Sequence, residues 1–228
     1  MAKLTFHGHA TFSIETDDGT HLVIDPYFED NPGFTGSLDD IEADFVLITH
    51  GHFDHVTDVE PLVRRTGATI IASFEIASYF EAKHGFTCSP QHIGGGVQYP
   101  FGHVKLTPAL HGGKLDLEGG GDYTTVPAGL LIKLASGQRF HHAGDTALLT
   151  DMQLLNGQVD VAVLPIGDRF TMGPDDAVRA VDFIEPSVVI PCHYDTWPPI
   201  EQDAEAFRDA VGDRARVEIM KPGDSYDF

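Results

Sequence analysis

The chain has 228 residues, 42% hydrophobic and 21% charged, which is the composition of a globular protein and not of a fibrous or disordered one. Its 35 acidic and 14 basic residues give a formal net charge of −21, which repels polyanions at long range and makes a nucleic-acid polymer a poor substrate. No apolar run approaches the ~18 residues of a membrane span, and the first residues turn polar too early for a signal peptide, so a cytoplasmic protein is expected.

The opening reads as short strands, "KLTFHG", "TFSIET" and "THLVID", the last two joined by a turn at Asp17-Asp18-Gly19. A polar loop follows from Pro26 to about Glu42, and the apolar strand "ADFVLIT" then runs into His50. "VTDVEPLVRRTG" predicts a helix closed by Gly67, "ATIIAS" a buried strand and "FEIASYFEAKHG" a second helix with a glycine stop. "VQYPFGHVKLTPAL" resembles a hairpin, and the Gly-rich stretch "HGGKLDLEGGGDYTTV" a mobile loop. Strands return at "AGLLIKLA" and "QRFHHAG", followed by a helical stretch "TALLTDMQLLNG" and the strand "VDVAVLPIG". Pro174, Asp175 and Asp176 begin a helix, since proline suits its first position and acids suit its N-terminal dipole. "SVVIP" is the next strand, "EQDAEAFRDAV" a helix and "ARVEIM" the last strand. Both halves open with strands and finish with strand–helix repeats, which predicts an α/β protein of two sheets packed face to face with helices outside. The length fits one domain over 1–228.

Thirteen histidines are the compositional outlier. "THGHFDH" concentrates His50, His52, Asp54 and His55 immediately after a buried strand. Asp25, His111, Asp145 and His193 each also follow an apolar strand, where α/β folds place their chemistry. Neutral imidazole and carboxylate suit Zn²⁺ and its first-row neighbours. A tight H-x-H turn can set two imidazoles on one ion, leaving Asp54 and His55 for a second, and Asp145 is a natural bridge between the two. The two cysteines, Cys88 and Cys192, are too few for a disulfide framework and fit no zinc-ribbon spacing. Cys192 reads as a buried small hydrophobe.

"THGHFDH", the isolated His111, "GDT" at Gly144-Asp145-Thr146 and "PCHYDT" around His193 resemble the metallo-β-lactamase superfamily. With "GHATFSI", "IDP" at Ile24-Asp25-Pro26 and "IGDRFTMGPDDAVRAV", the chain resembles an uncharacterised family of metal-dependent hydrolases close to the L-ascorbate-6-phosphate lactonases. The resemblance spans nearly the whole chain. It implies a four-layer αβ/βα sandwich, the metallo-β-lactamase fold, with two divalent ions at one edge of the sheets. His50, His52 and His111 would hold one ion, and Asp54, His55 and His193 the other, with Asp145 bridging. A metal-bridging hydroxide would then attack a small ester, lactone or phosphodiester, with Asp54 and His193 as the catalytic residues. Zn is the first expectation for the metal, with Mn, Ni, Fe or Co also compatible with an all His/Asp site.

The resemblance also puts His9 near the site, where it could contact substrate; the residues alone suggest a hydrogen-bonded strand histidine. Asp25 either fixes the free nitrogen of a ligand histidine or caps the turn before Pro26. Arg169 either meets an anionic substrate group or forms a surface salt bridge. Tyr194 and Thr196 could reach substrate or buttress their loop, and His142 could support a ligand. A nuclease of the same superfamily is the alternative enzyme, set back by the lack of a basic patch. A non-catalytic metal-binding sensor or scaffold is the alternative outside enzymes, set back by the complete ligand set. The expected partner is a small molecule, with no nucleic-acid polymer and no membrane; a homo-oligomer is compatible with the sequence. The acid excess fits either simple solubility or a saline environment.

Overall fold

The computed structural model of the chain describes residues 1–118 and 124–228. The first half runs β1 (Lys3–Gly8), β2 (Thr11–Glu15), β3 (His21–Ile24), β4 (Phe45–Leu47), α1 (Phe53–Val56), α2 (Val59–Thr66), β5 (Thr69–Ser73), α3 (Phe74–His84) and β6 (Cys88–Gln91). The second runs β7 (Gly96–Tyr99), β8 (Gly102–Pro108), β9 (Ala128–Leu134), β10 (Arg139–His142), β11 (Val161–Pro165), α4 (Pro174–Ile184), β12 (Val188–Cys192), α5 (Ala204–Val211) and β13 (Arg216–Val217), and β14 (Ser225–Asp227) closes the chain.

Two seven-stranded sheets result, ordered β14-β1-β2-β3-β4-β5-β6 and β13-β12-β11-β10-β9-β8-β7. Each combines antiparallel pairs at one side with parallel pairs at the other, the first parallel pair being β3–β4 in the first sheet and β10–β11 in the second. The sheets meet through an apolar layer to which Leu4, Phe12, Ile24 and Leu47 contribute from one side and Leu106, Leu130, Phe140 and Ile190 from the other. On the outer face of the first sheet, Val46 and Ile70 pack with Leu62 of α2 and Phe80 of α3. On the outer face of the second, Leu164 and Val189 pack with Val181 of α4 and Phe207 of α5. This is the expected four-layer αβ/βα sandwich. Every residue of β11 and of β12 is buried, as parallel strands covered on both faces require.

The helix ends follow local chemistry. Pro174 opens α4 with Asp175 and Asp176 in its first turn, and the Asp203 carboxylate caps α5 by accepting from Glu205 N and Ala206 N. Gly67 ends α2 in the left-handed region at φ +75°.

Three expectations change. The helix expected over 56–67 is split, because Asp58 N–H donates to Pro26 O while its carboxylate accepts from Phe28 N and Glu29 N, tying the chain to the preceding loop. The helix expected over 146–157 is reduced to a 3-10 segment, Thr150–Leu155. There Thr146 O accepts from Met172 N and Ala147 N donates to Leu110 O, so the backbone that would start a helix joins two neighbouring segments instead. The last strand narrows to Arg216–Val217. The Gly-rich loop expected to be mobile lies in part, 119–123, outside the described residues. Among the described residues no helix is long and apolar enough to cross a membrane.

Candidate metal centre

The parallel strands end along one edge, and the chemistry gathers there. Asp25 follows β3, His50 follows β4, Asp145 follows β10 and His193 follows β12, while α1 supplies Asp54 and His55. The approach is close at Gly51, where a Cβ would lie 2.8 Å from both Leu115 Cα and Lys114 O. Gly51 O accepts from Asp116 N at 2.8 Å, so the absence of a side chain lets the 114–116 segment lie against the His50–His52 turn.

Asp145 Oδ2 is the centre of the arrangement. The Nε2 atoms of His193, His111, His55 and His50 lie 3.0, 3.4, 3.6 and 3.8 Å from it. His52 Nδ1 is 3.0 Å from His50 Nε2 and 3.2 Å from His111 Nε2, and Asp54 faces His55 and His193 at 3.9 and 3.8 Å. Ligand atoms of His50, His52 and His111 thus form one compact group, and those of His9, Asp54, His55 and His193 another; Asp145 groups with His50 and His55, one from each.

Both nitrogens of His193, His55 Nε2 and Asp145 Oδ1 are buried with no hydrogen-bond partner. The 3.0 Å approach of His193 Nε2 to Asp145 Oδ2 is a close contact without hydrogen-bond alignment. Buried lone pairs left without donors are costly, and a divalent cation satisfies several of them at once. The residues therefore fit a metal.

Residues 3–193 match the family model of the beta-lactamase superfamily domain. The chain belongs to that superfamily. A UPF0173 metal-dependent hydrolase of Exiguobacterium sp. is 43% identical over 211 residues, covering 92% of this chain and 93% of its own length. One from Heliobacterium modesticaldum is 44% identical, covering 99% of this chain and 97% of its own. Igni18, a metallo hydrolase of the archaeon Ignicoccus hospitalis, superposes with a TM-score of 0.89 at 35% identity over 100% of this chain and 99% of its own. Within the superfamily, this chain is a UPF0173 metal-dependent hydrolase.

A second ring of contacts in the hydrolase fixes the ligand groups. Asp25 Oδ2 lies 2.8 Å from His55 Nδ1 and accepts the Thr49 hydroxyl at 2.6 Å, while Oδ1 accepts Thr49 N–H at 2.8 Å. His55 Nδ1 is thereby held as a donor and Nε2 turned to the site. Of the two roles open for Asp25, contact with a histidine of the candidate site, His55, is the one the fold displays. His9 Nε2 lies 3.0 Å from Asp54 Oδ2, His9 Nδ1 lies 2.7 Å from Thr196 Oγ1, and the His9 ring packs 4.0 Å from that of His193. With both nitrogens engaged, His9 orients Asp54. His142 donates from Nε2 to Ala10 O and accepts Gly144 N–H at Nδ1, supporting the turn before Asp145. His9, Asp25 and His193 have φ of +57°, +48° and +54°, a conformation costly for a residue with a Cβ; for His193 and His9 the bond from His193 N to His9 O secures it.

Electrostatics follow the packing. Burial alone would lower the His55 and His193 imidazoles, but Asp145, with Asp25 or Asp54, outweighs it, raising His55 well above its ordinary range and His193 to about 9. Burial and the neighbouring His55 push His50 well below it. Burial would raise Asp54 and Asp145, yet the surrounding imidazoles hold both carboxyls far below the carboxylate range.

Two residues singled out in the sequence stand outside the lining of the cavity over the site. Arg169 neither lines the cavity over the site nor has a carboxylate within ion-pair distance among the described residues; it is exposed and lies over the Phe170 ring, 5.7 Å from its centroid. Tyr194 lines a different cavity, beside Asn31 and Met220. Thr196 buttresses His9. Phe53, Phe170, Trp197 and Pro199 also border the site, although nothing in the sequence singles them out beyond a modest signal, large apolar residues in polar segments.

Proposed function

We propose that this hydrolase is a dinuclear enzyme, its 1–228 span acting as a single catalytic domain on small esters, lactones or phosphodiesters. The observation that carries the reading is the convergence of four imidazole Nε2 atoms, at 3.0–3.8 Å, on one buried carboxylate oxygen of Asp145. His50, His52 and His111 would hold one cation, Asp54, His55 and His193 the second, and Asp145 would serve both. Bound there, divalent ions such as Zn²⁺ or Mn²⁺ supply Lewis acidity and bring the ionisation of an attacking water into the neutral range. His9 and Asp25 fix the ligand side chains, so little reorganisation is left for the reaction itself. Asp54 borders the cavity and is the carboxylate positioned to accept a proton from the attacking water and deliver it to the leaving oxygen. His193, on the same wall, steadies the developing charge.

A cavity of about 430 Å³ over the site suits a small molecule better than a polymer. The sequence resemblance to lactonases supports lactones within this class. The test is a panel of chromogenic esters, lactones and phosphodiesters, assayed with Zn²⁺ or Mn²⁺. Turnover of at least one class is expected, reduced at least ~10³-fold in Asp54→Ala, by comparison with the loss of other single catalytic groups. Inactivity on every class, with two ions tightly bound, would favour a binding protein instead.

A further inference from the structure

The cavity over the metal centre has an apolar wall that folding does not explain. Phe53, Phe170, Trp197 and Pro199 line it beside the histidines and carboxylates. Phe53 and Phe170 are 49% and 53% exposed, and neither they nor Trp197 belong to the apolar clusters that hold the sheets and helices together. Single exposed apolar side chains are ordinary; these rings converge from three separate segments on one concavity. They are also ordered against one another. Phe53 and Trp197 have ring centroids 5.9 Å apart, Tyr27 stands edge-on to Phe53 at 6.1 Å, and Trp197 packs 4.9 Å from His9.

The side chains of lysine and arginine nearest this cavity stand outside its lining. Among the described residues no Lys or Arg lines it, and 119–123 are Gly, Gly, Gly, Asp and Tyr in sequence. Asp116, which does line it, carries a negative charge and is paired with Lys114 at 3.3 Å. Arg169 is turned onto Phe170. Lys114 and Arg169 flank the cavity through Asp116 and Phe170 without lining it, so a phosphate carried away from the metals would find no Lys or Arg among the described lining residues, inside a chain of net charge −21.

Building on the hydrolase reading above, we infer that the substrate is an uncharged carboxylic ester or lactone with an aromatic ring next to the cleaved bond. The ring packs against Phe53, Phe170 and Trp197, and anionic substituents on it are disfavoured. In the reaction the oxygen of one water bonds to the acyl carbon. The bond from that carbon to the leaving oxygen breaks with its electron pair on that oxygen, which takes a proton, and no oxidant or reductant is needed.

Trp197 is the single tryptophan of the chain, so its fluorescence reports on this wall alone. The metal-loaded protein is titrated with three inert amides: acetanilide, aliphatic N-methylacetamide and 4-acetamidobenzenesulfonate, whose charge sits at the far end of the ring. A saturable change is expected with acetanilide, with at least about tenfold weaker binding of the other two. Phe170→Ala should weaken acetanilide binding about fivefold, whereas Phe74→Ala, exposed but outside the cavity, should leave it unchanged. Equal affinities for the three amides, no response to acetanilide, or an unaltered Phe170→Ala would overturn the inference.

Rates separate it from the reading it rests on. Benzyl acetate should exceed ethyl acetate, an ester of similar reactivity, by about tenfold or more in kcat/KM. Equal rates would overturn ring recognition and leave the hydrolase standing. No turnover of either ester, of any lactone or of any phosphodiester, with the amide preference intact, would refute the hydrolytic reading and leave only the ring site.

Discussion

Asp25 does not line the cavity over the site, yet three groups depend on its carboxylate: Thr49 N–H, the Thr49 hydroxyl and His55 Nδ1. Asp25→Ala should cost about 10–100-fold in metal affinity, because the His55 ring loses its fixed orientation. Competition against a chromogenic chelator measures it, and an unchanged affinity would remove Asp25 from the account. Gly51 makes a different demand, for space. Gly51→Ala brings a Cβ within 2.8 Å of backbone at both Lys114 and Leu115, and should cost about 1–3 kcal/mol in urea unfolding. A neutral result would mean that the 114–116 segment yields freely. The candidate ligands were legible in sequence because His50, Asp145 and His193 come just after apolar strands and His52, Asp54 and His55 crowd the segment after His50. For Asp25 the sequence left two roles open, and the demand at Gly51 was not legible at all, since each depends on a neighbour 24 or more positions away that only the fold brings close.

At the scale of elements, the strands covered on both faces could be read from their apolar runs, and α3, α4 and α5 from periodicity and end signals. Two strands escaped. β6 has the sequence CSPQ, with Pro90 tolerated because this is an edge strand. β14, the polar triplet SYD, exists through its antiparallel pairing with β1. Neither carries a local signal that competes with tertiary pairing. β10 shows what burial does to charge. His141 is fully enclosed, one nitrogen 3.3 Å from the Thr107 hydroxyl and the other unpartnered, and burial lowers it to about 3. In the unfolded chain its value is near 6.5, so between these limits the unfolded state binds the extra proton. Its contribution is therefore intact above about pH 6.5 and is lost as pH falls toward 3. Urea unfolding of metal-free protein should show His141→Leu losing about 2 kcal/mol less than wild type between pH 7 and pH 5. Identical losses would exclude His141 as a contributor.

At the scale of the molecule, two sheets deliver strand ends from both halves of the chain to one edge, and neither half has the full set. "THGHFDH" supplies four groups; His111, Asp145 and His193 come from the second sheet and its loops. This distribution makes metal binding a property of the assembled sandwich, so each tightly bound ion should also oppose unfolding, by about 2.7 kcal/mol when present at a hundred times its dissociation constant. The central claim is that Asp145 unites two metal sites. Its most direct test is metal content per chain, measured by plasma mass spectrometry after exhaustive dialysis, for the wild type and Asp145→Ala, with circular dichroism to verify that the variant is folded. The account predicts two divalent ions per wild-type chain and fewer than one in the folded variant. A wild type without stoichiometric metal, or a folded Asp145→Ala that keeps both ions, would contradict it.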